Sequence, residues 1–263
     1  MNIKQLSHQW HQSGIKEGDC VLLHSKVKRL YRNIRKTGDK NPLSTILNSF
    51  IDAVGKDGTI IIPLFNFNFT SGSTFDIRNT PSQMGSLTEY ARKVTKSARS
   101  SHPVYSFCAL GKYADQINNI NNLSAYADDS PFGFLRKVGG KIAILDLEDQ
   151  ESMTFYHHVE EICGVEYRYM KKFTSNYIDK NGNLTLQKNY SIYVRDINKG
   201  VLTNVNPAGE GMWEKEIYKG DRPFINSGLR TATALDVFDY IKEIIESGKA
   251  EGMLFKYSKT ELN

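Results

Sequence analysis

The chain has 263 residues, with 34 Lys and Arg against 29 Asp and Glu, a formal charge of +5. At 40% hydrophobic and 24% charged residues it is too apolar for a disordered chain, and it is long enough to build a core without disulfides. The longest apolar run, Ile60 to Phe65 with Pro63 inside, is too short to cross a bilayer, and Met1 to Leu6 hold no apolar signal core, so neither a membrane span nor a secretory leader is expected. Cys20, Cys108 and Cys163 form no CxxC pair and read as reduced thiols of a cytoplasmic protein.

Residues 3–13 read as a helix, with Ile3, Leu6 and Trp10 on one face. After Gly14 and Gly18, Cys20 to Leu23 read as a buried strand that runs into His24-Ser25-Lys26. Residues 43–54 carry an amphipathic helix, and Gly55 to Gly58 turn into a second strand, Thr59 to Pro63. Phe65 to Phe69 is a loop or edge strand, 84–98 a helix, Tyr105 to Leu110 a third strand and Lys141 to Asp146 a fourth. Residues 152–162 form a helix or helical turn. Asp179 to Asn183 is a hairpin turn flanked by Thr174–Ile178 and Leu184–Val194, and 231–246 form the last helix.

Strand alternates with helix over the first 160 residues, which predicts an α/β fold with a mixed, partly parallel central sheet flanked by helices. The hairpin region reads as an antiparallel, β-rich insertion over about 165–225. It divides a single domain, 1–263, whose α/β core covers about 1–164 and 226–263.

Open α/β sheets bind ligands at the carboxyl ends of their parallel strands. His24, Ser25 and Lys26 follow the first strand, Asn66 and Asn68 the second, and Asp146 the fourth. The densest group is Thr154 to Glu161. On a helix, His157 faces Glu160 and Glu161, so a carboxylate can hold the imidazole in one tautomer, as suits a general base; a solvated helix with routine His–Glu pairs has the same spacing. His102, before Pro103, either helps line a cleft or serves a turn. Cys163 reads mainly as a core thiol. There is no GxSxG elbow, Walker A motif, GxGxxG, HExxH or nucleic-acid signature, so no metal, nucleic-acid or membrane partner is expected.

Six segments in order resemble the aminoglycoside 3-N-acetyltransferase family: Val21-Leu22-Leu23-His24-Ser25, Gly58 to Pro63, Met84-Gly85-Ser86-Leu87, Arg99 to Ser106 with its Ser-x-His-Pro, Ser130-Pro131-Phe132-Gly133, and Thr154-x-x-His157-x-x-Glu160. The resemblance implies acyl transfer from acyl-CoA (acetyl or longer) to an amine on a sugar, directly and without an acyl-enzyme. It implies His157 as general base, Glu160 as its orienting partner and Thr154 as a hydroxyl contributor. It puts His24, Ser25, Lys26, Ser100, His102 and Ser106 at the coenzyme cleft, with Ser130 a weaker candidate. The chain departs from the family at Lys26, where Ser is common, at Phe155-Tyr156, where smaller residues are common, and over 165–225.

Aminoglycosides are polycations, whereas this chain is basic, with Lys26, Lys28, Arg29, Arg32, Arg35 and Lys36 crowded after the first strand. On charge, the expected acceptor is therefore a nucleotide-linked amino sugar, with an aminoglycoside as the alternative. A non-catalytic anion-binding protein is the reading from a different class.

Overall fold

The computed structural model describes residues 1–96 and 98–258. Its strands are β1 (Cys20–Ser25), β2 (Thr59–Pro63), β3 (Phe75–Asp76), β4 (Phe107–Gly111), β5 (Lys141–Leu145), β6 (Arg168–Ile178), β7 (Leu184–Arg195), β8 (Val201–Thr203), β9 (Lys219–Gly220), β10 (Leu229–Thr233) and β11 (Phe255–Tyr257). Helices in the first half are α1 (Ile3–Gln12), α2 (Lys28–Lys36), α3 (Pro42–Val54), α4 (Ser86–Val94), α5 (Ala114–Asn118) and α6 (Pro131–Lys137). They are followed by α7 (Asp149–Ser152), α8 (Phe155–Cys163), α9 (Asn206–Glu214), α10 (Ala234–Glu246) and α11 (Ala250–Met253).

The main sheet has the order β4-β2-β1-β5-β10-β9. β1 runs parallel to β2 and β5, while β4, β10 and β9 add antiparallel edges. The expected mixed, partly parallel α/β sheet is therefore present. The strand period of two divides its side chains between two cores. Val21, Leu23, Ile60, Ile62, Ala143 and Leu145 face one core, which α1, α2, α3 and α4 close. Cys20, Leu22, Ile61, Ile142 and Ile144 face the other, closed by α6, α8, α10 and part of the β6–β7 hairpin. On the first face Trp10 of α1 stacks on Phe50 of α3 with centroids 4.6 Å apart, and its indole N–H donates to Ser49 Oγ at 2.8 Å.

Several boundaries differ from the sequence reading. The expected helix 231–246 begins three residues later, because Leu229–Thr233 is instead a strand antiparallel to β5. Thr233 ends that strand and caps α10, its Oγ1 accepting from Asp236 N at 3.0 Å. The helix expected over 84–98 is Ser86–Val94; Ser97 lies outside the described residues, as do 259–263. Residues 65–69 form no strand and lead into a short 3-10 turn at Asn68–Ser71. The basic run after β1, given no element in the sequence reading, is α2, which buries only Leu30 and Ile34.

The hairpin turn falls at 179–183 as expected. Asp179 Oδ1 accepts from Asn181 N and Asn183 N at 2.9 and 2.8 Å, and Gly182 takes a φ of 89°. Its strands are long, and β6 also pairs in parallel with β3. Residues 165–225 further contain α9. Among the described residues no helix is long and apolar enough to cross a membrane.

Candidate active site

A cavity of about 770 Å³ opens at the carboxyl ends of β1 and β2. His24, Ser25 and Lys26 line it, as do Lys28, Tyr31 and Arg32 of α2 and the Gln83-Met84-Gly85-Ser86 turn before α4. α2 and α4 both begin at this wall without a side-chain cap, so first-turn N–H groups are left for a ligand. Lys28 and Arg32 have no carboxylate within 4.0 Å among the described residues. His24 Nε2 and Ser25 Oγ are buried without a hydrogen-bond partner. Burial, then Arg230, push the His24 imidazole down to about 4, so it stands neutral. Unpaired cations, uncapped helix starts and two orphaned polar atoms suit a large anionic ligand with its own polar groups, as coenzyme A is.

The basic segment after β1 therefore divides in function. Lys28 and Arg32 face the cavity, whereas Arg29 turns inward. It grips Asp146 with Nε to Oδ2 at 2.8 Å and Nη2 to Oδ1 at 2.9 Å, and also donates to the carbonyls of Asn226 and Ser227. Asp146, noted at the end of β5, is thus a fully buried anchor with a φ of 53°. Lys26 lies 3.4 Å from Glu151 in an exposed ion pair.

A second cavity, of about 300 Å³, lies between α8 and the hairpin. His157 lines it with Tyr105, Tyr126, Arg168, Lys171, Tyr193 and Arg195. His157 Nδ1 is 2.6 Å from Glu160 Oε2. An ionised carboxylate only accepts, so Nδ1 carries the hydrogen and Nε2 keeps its lone pair. Burial, then the Arg168 charge, lower the His157 pKa against the opposing pull of Glu160. Burial by itself would raise the Glu160 carboxyl, but Arg168 and then His157 hold it below the ordinary carboxylate range. The pair therefore combines a neutral, oriented imidazole with a buried anion, the state a general base needs. Glu161, the other carboxylate at helical spacing, accepts from Ser124 Oγ at 2.7 Å. His158 is fully buried, bonded through Nδ1 to Tyr126 O at 2.6 Å.

Successive ring contacts lead from one cavity to the other: His24 to Phe65 at 6.4 Å, Phe65 to Tyr105 at 4.8 Å, Tyr105 to Tyr126 at 4.9 Å and Tyr126 to His157 at 5.4 Å.

The sequence-predicted residues separate into two groups. His24, Ser25 and Lys26 meet at the larger cavity, and His157 and Glu160 meet at the smaller. Ser100, His102 and Ser106 are completely buried and form part of neither wall. Ser100 Oγ accepts from Phe107 N at 2.9 Å, and Ser106 Oγ accepts from Arg99 Nε at 2.7 Å. His102 Nδ1 accepts from Tyr105 N at 3.0 Å while Nε2 donates to Ser191 O at 3.2 Å. Their observed contacts hold the loop that carries Tyr105. Thr154 precedes α8, makes no cap bond through its side chain and is in neither wall. Ser130 is the buried N-cap of α6. Arg168 escaped the sequence reading because it meets Glu160 only through the β6 strand, a pairing with no local spacing.

Fold and site together describe an α/β protein with a cation-lined cavity at its parallel strand ends and a buried His–Glu pair at a neighbouring cavity. The family profile described as aminoglycoside 3-N-acetyltransferase matches residues 22–246, and the chain belongs to that family. Aminoglycoside N(3)-acetyltransferase IX of Micromonospora chalcea is 23% identical over 184 residues, 61% of this chain and 62% of the relative. The SPbeta prophage-derived aminoglycoside N(3')-acetyltransferase-like protein YokD of Bacillus subtilis is 27% identical over 171 residues, 56% of this chain and 60% of the relative. The chain thus spans 57–62% of the length of the curated relatives it matches. Among solved structures, AAC-IIIb in a binary complex with CoASH superposes with a TM-score of 0.77 at 18% identity, covering 94% of this chain and 97% of that one. Sisomicin-bound AAC-VIa superposes with a TM-score of 0.73 at 18% identity, covering 94% and 98%. At these identities the superpositions establish the shared fold.

Proposed function

We propose that this chain is an acyl-CoA-dependent N-acyltransferase that acylates an amino group of an amino sugar. The observation that carries this reading is His157, neutral and fixed by Glu160 in the smaller cavity, with the larger, cation-lined cavity reached through the ring contacts that end at His24. Acyl-CoA supplies the activated acyl carbon. His24, Ser25, Lys28 and Arg32 would hold it. His157 Nε2 takes the proton of the acceptor amine as the amine nitrogen bonds to the acyl carbon. The carbon–sulfur bond breaks, and the proton passes from His157 to the departing sulfur, leaving both enzyme and coenzyme uncharged at the reacting atoms. Glu160 stabilises the imidazolium formed in between. We read residues 1–263 as one acyltransferase domain, and three cysteines without a disulfide fit a cytoplasmic setting.

For the acceptor, the matched family and the relatives' names favour an aminoglycoside-type amine over the nucleotide-linked sugar expected from net charge. Of the six cations that suggested a phosphate-bearing acceptor, Lys26, Lys28 and Arg32 line the larger cavity, where coenzyme A would account for them, and Arg29 is spent on Asp146. One observation keeps the phosphate-bearing reading as the second: Lys171 and Arg195 rim the His157 cavity. A thiol-release assay pairing acetyl-CoA and longer acyl-CoAs with aminoglycosides and nucleotide-linked amino sugars tests both. Release with aminoglycosides alone supports the first acceptor and removes the second. No release with any amine, together with anion binding that His157→Ala leaves intact, would replace the enzyme reading by a binding protein.

A further inference from the structure

A buried histidine with a carboxylate 2.6 Å away ordinarily captures a proton and becomes one half of an ion pair, which cannot act as a base. Here a second partner occupies the same oxygen. Arg168 Nε lies 2.7 Å from Glu160 Oε2, and the two side chains are 6% and 1% exposed. Arg168 opens β6, and its Nη1 donates to Tyr193 O of β7 at 3.2 Å, so the hairpin ladder fixes the guanidinium. We propose that Arg168 is the positioning residue that keeps Glu160 ionised and His157 unprotonated but oriented, which makes the hairpin a working part of the catalytic base. This rests on the reading of His157 as the base.

The surrounding charges are consistent with this assignment. Among the described residues Glu160 is the only carboxylate bonded to the imidazole, since Glu161 is taken by Ser124. Arg168 and Lys171 of β6 and Arg195 of β7 are the cations at the cavity. Of these, Arg168 alone touches the pair. The phenols of Tyr105, Tyr126 and Tyr193, and of Tyr167 against Glu160, are all pushed upward, first by burial, and stay neutral. From α10, Lys242 and Glu246 act on Cys163. Removing Arg168 takes away the charge that balances Glu160, so the dyad as a unit should bind a proton at higher pH.

The experiment combines pH–rate profiles of wild type, Arg168→Gln and Arg168→Lys with NMR titration of ¹⁵N-labelled histidine, the His157 signal being identified by its loss in His157→Gln. The acid limb of kcat/KM and the His157 titration should both move up by about one pH unit or more in Arg168→Gln. Both should stay near wild type in Arg168→Lys, and much of the lost Arg168→Gln rate should return at alkaline pH. An equal loss at every pH, with no change in the titration, would show a merely structural arginine. If Arg168→Gln does not fold, the wild-type spectrum still decides: a His157 protonated at pH 7 overturns the proposal, and a neutral imidazole with hydrogen on Nδ1 supports it. If no amine is acylated, the acyltransferase reading fails, while the NMR titration still tests the electrostatic role of Arg168.

Discussion

Replacing Glu160 by Gln keeps the shape of the side chain and removes its charge. In the native protein the carboxylate is shared between His157 Nδ1 at 2.6 Å and Arg168 Nε at 2.7 Å, with almost no solvent at either side chain of the ion pair. The variant leaves the Arg168 guanidinium buried with no anionic partner. Breaking a buried pair from one side costs about 3–5 kcal/mol. For a chain of this size that corresponds to a fall in Tm of roughly 5–9 °C. Catalysis should suffer separately. A Gln amide that donates to Nδ1 forces the hydrogen onto Nε2 and removes the lone pair that, on the proposed reading, accepts the amine proton, so kcat should fall about 10²- to 10⁴-fold. Urea titrations and thermal melts measure the first effect, and turnover on the still-folded protein at low temperature measures the second. The double variant Glu160→Leu/Arg168→Met should regain most of the stability and none of the activity. A loss of stability below about 1 kcal/mol in Glu160→Gln would refute the claim that this pair is desolvated and coupled.

Three further outcomes follow from the geometry. His157→Ala should lower kcat by about 10²- to 10⁴-fold while leaving the acyl-CoA dissociation constant within about threefold, because His157 lines the smaller cavity and not the larger; parallel losses in titration calorimetry and turnover would contradict that division. Lys28→Gln/Arg32→Gln should weaken coenzyme binding about tenfold or more and flatten its salt dependence, measured by calorimetry at two ionic strengths. His24, His102 and His158 are each pushed down to about 4, in every case first by burial. The unfolded chain therefore binds more protons than the folded one between about pH 6.5 and pH 4. Stability present above 6.5 is lost as pH falls through that window, by up to about 3 kcal/mol per histidine, and a urea midpoint unchanged from pH 7.5 to 5 would contradict this.

The central sheet was legible because β1, β2 and β5 are short apolar runs bounded by Gly-containing turns or polar residues, and because their neighbours show helical periodicity. β10 was not, since its sequence Leu-Arg-Thr-Ala-Thr places Arg230 and Thr231 in the interior. Arg230 is buried because Asp149 Oδ2 meets its Nη2 at 3.0 Å and Leu147 O its Nη1 at 2.6 Å, compensation that no local pattern reveals. α2 has a thin apolar stripe on a cationic surface and looks like a charged loop until its packing is seen. At the site, His157 and Glu160 were legible because i,i+3 spacing on a helix already fixes their meeting. The Ser-x-His-Pro block is recognisable as a motif, yet its polar atoms are spent on backbone groups of its own loop, of β4 and of β7, and that distribution appears only in three dimensions.

The hairpin of β6 and β7 has a consequence for how such a protein diverges. The wall around His157 comes largely from these two strands, while the larger cavity comes mainly from β1, α2 and the turn before α4. The two walls are thus encoded in separate stretches of chain. On the proposed reading, a lineage can rewrite Lys171, Tyr193 and Arg195 to accept a new amine without disturbing the donor side. Arg168 is the exception within that variable strand: its ion pair with Glu160 ties it to α8, so a change that removes its positive charge leaves the buried carboxylate unbalanced.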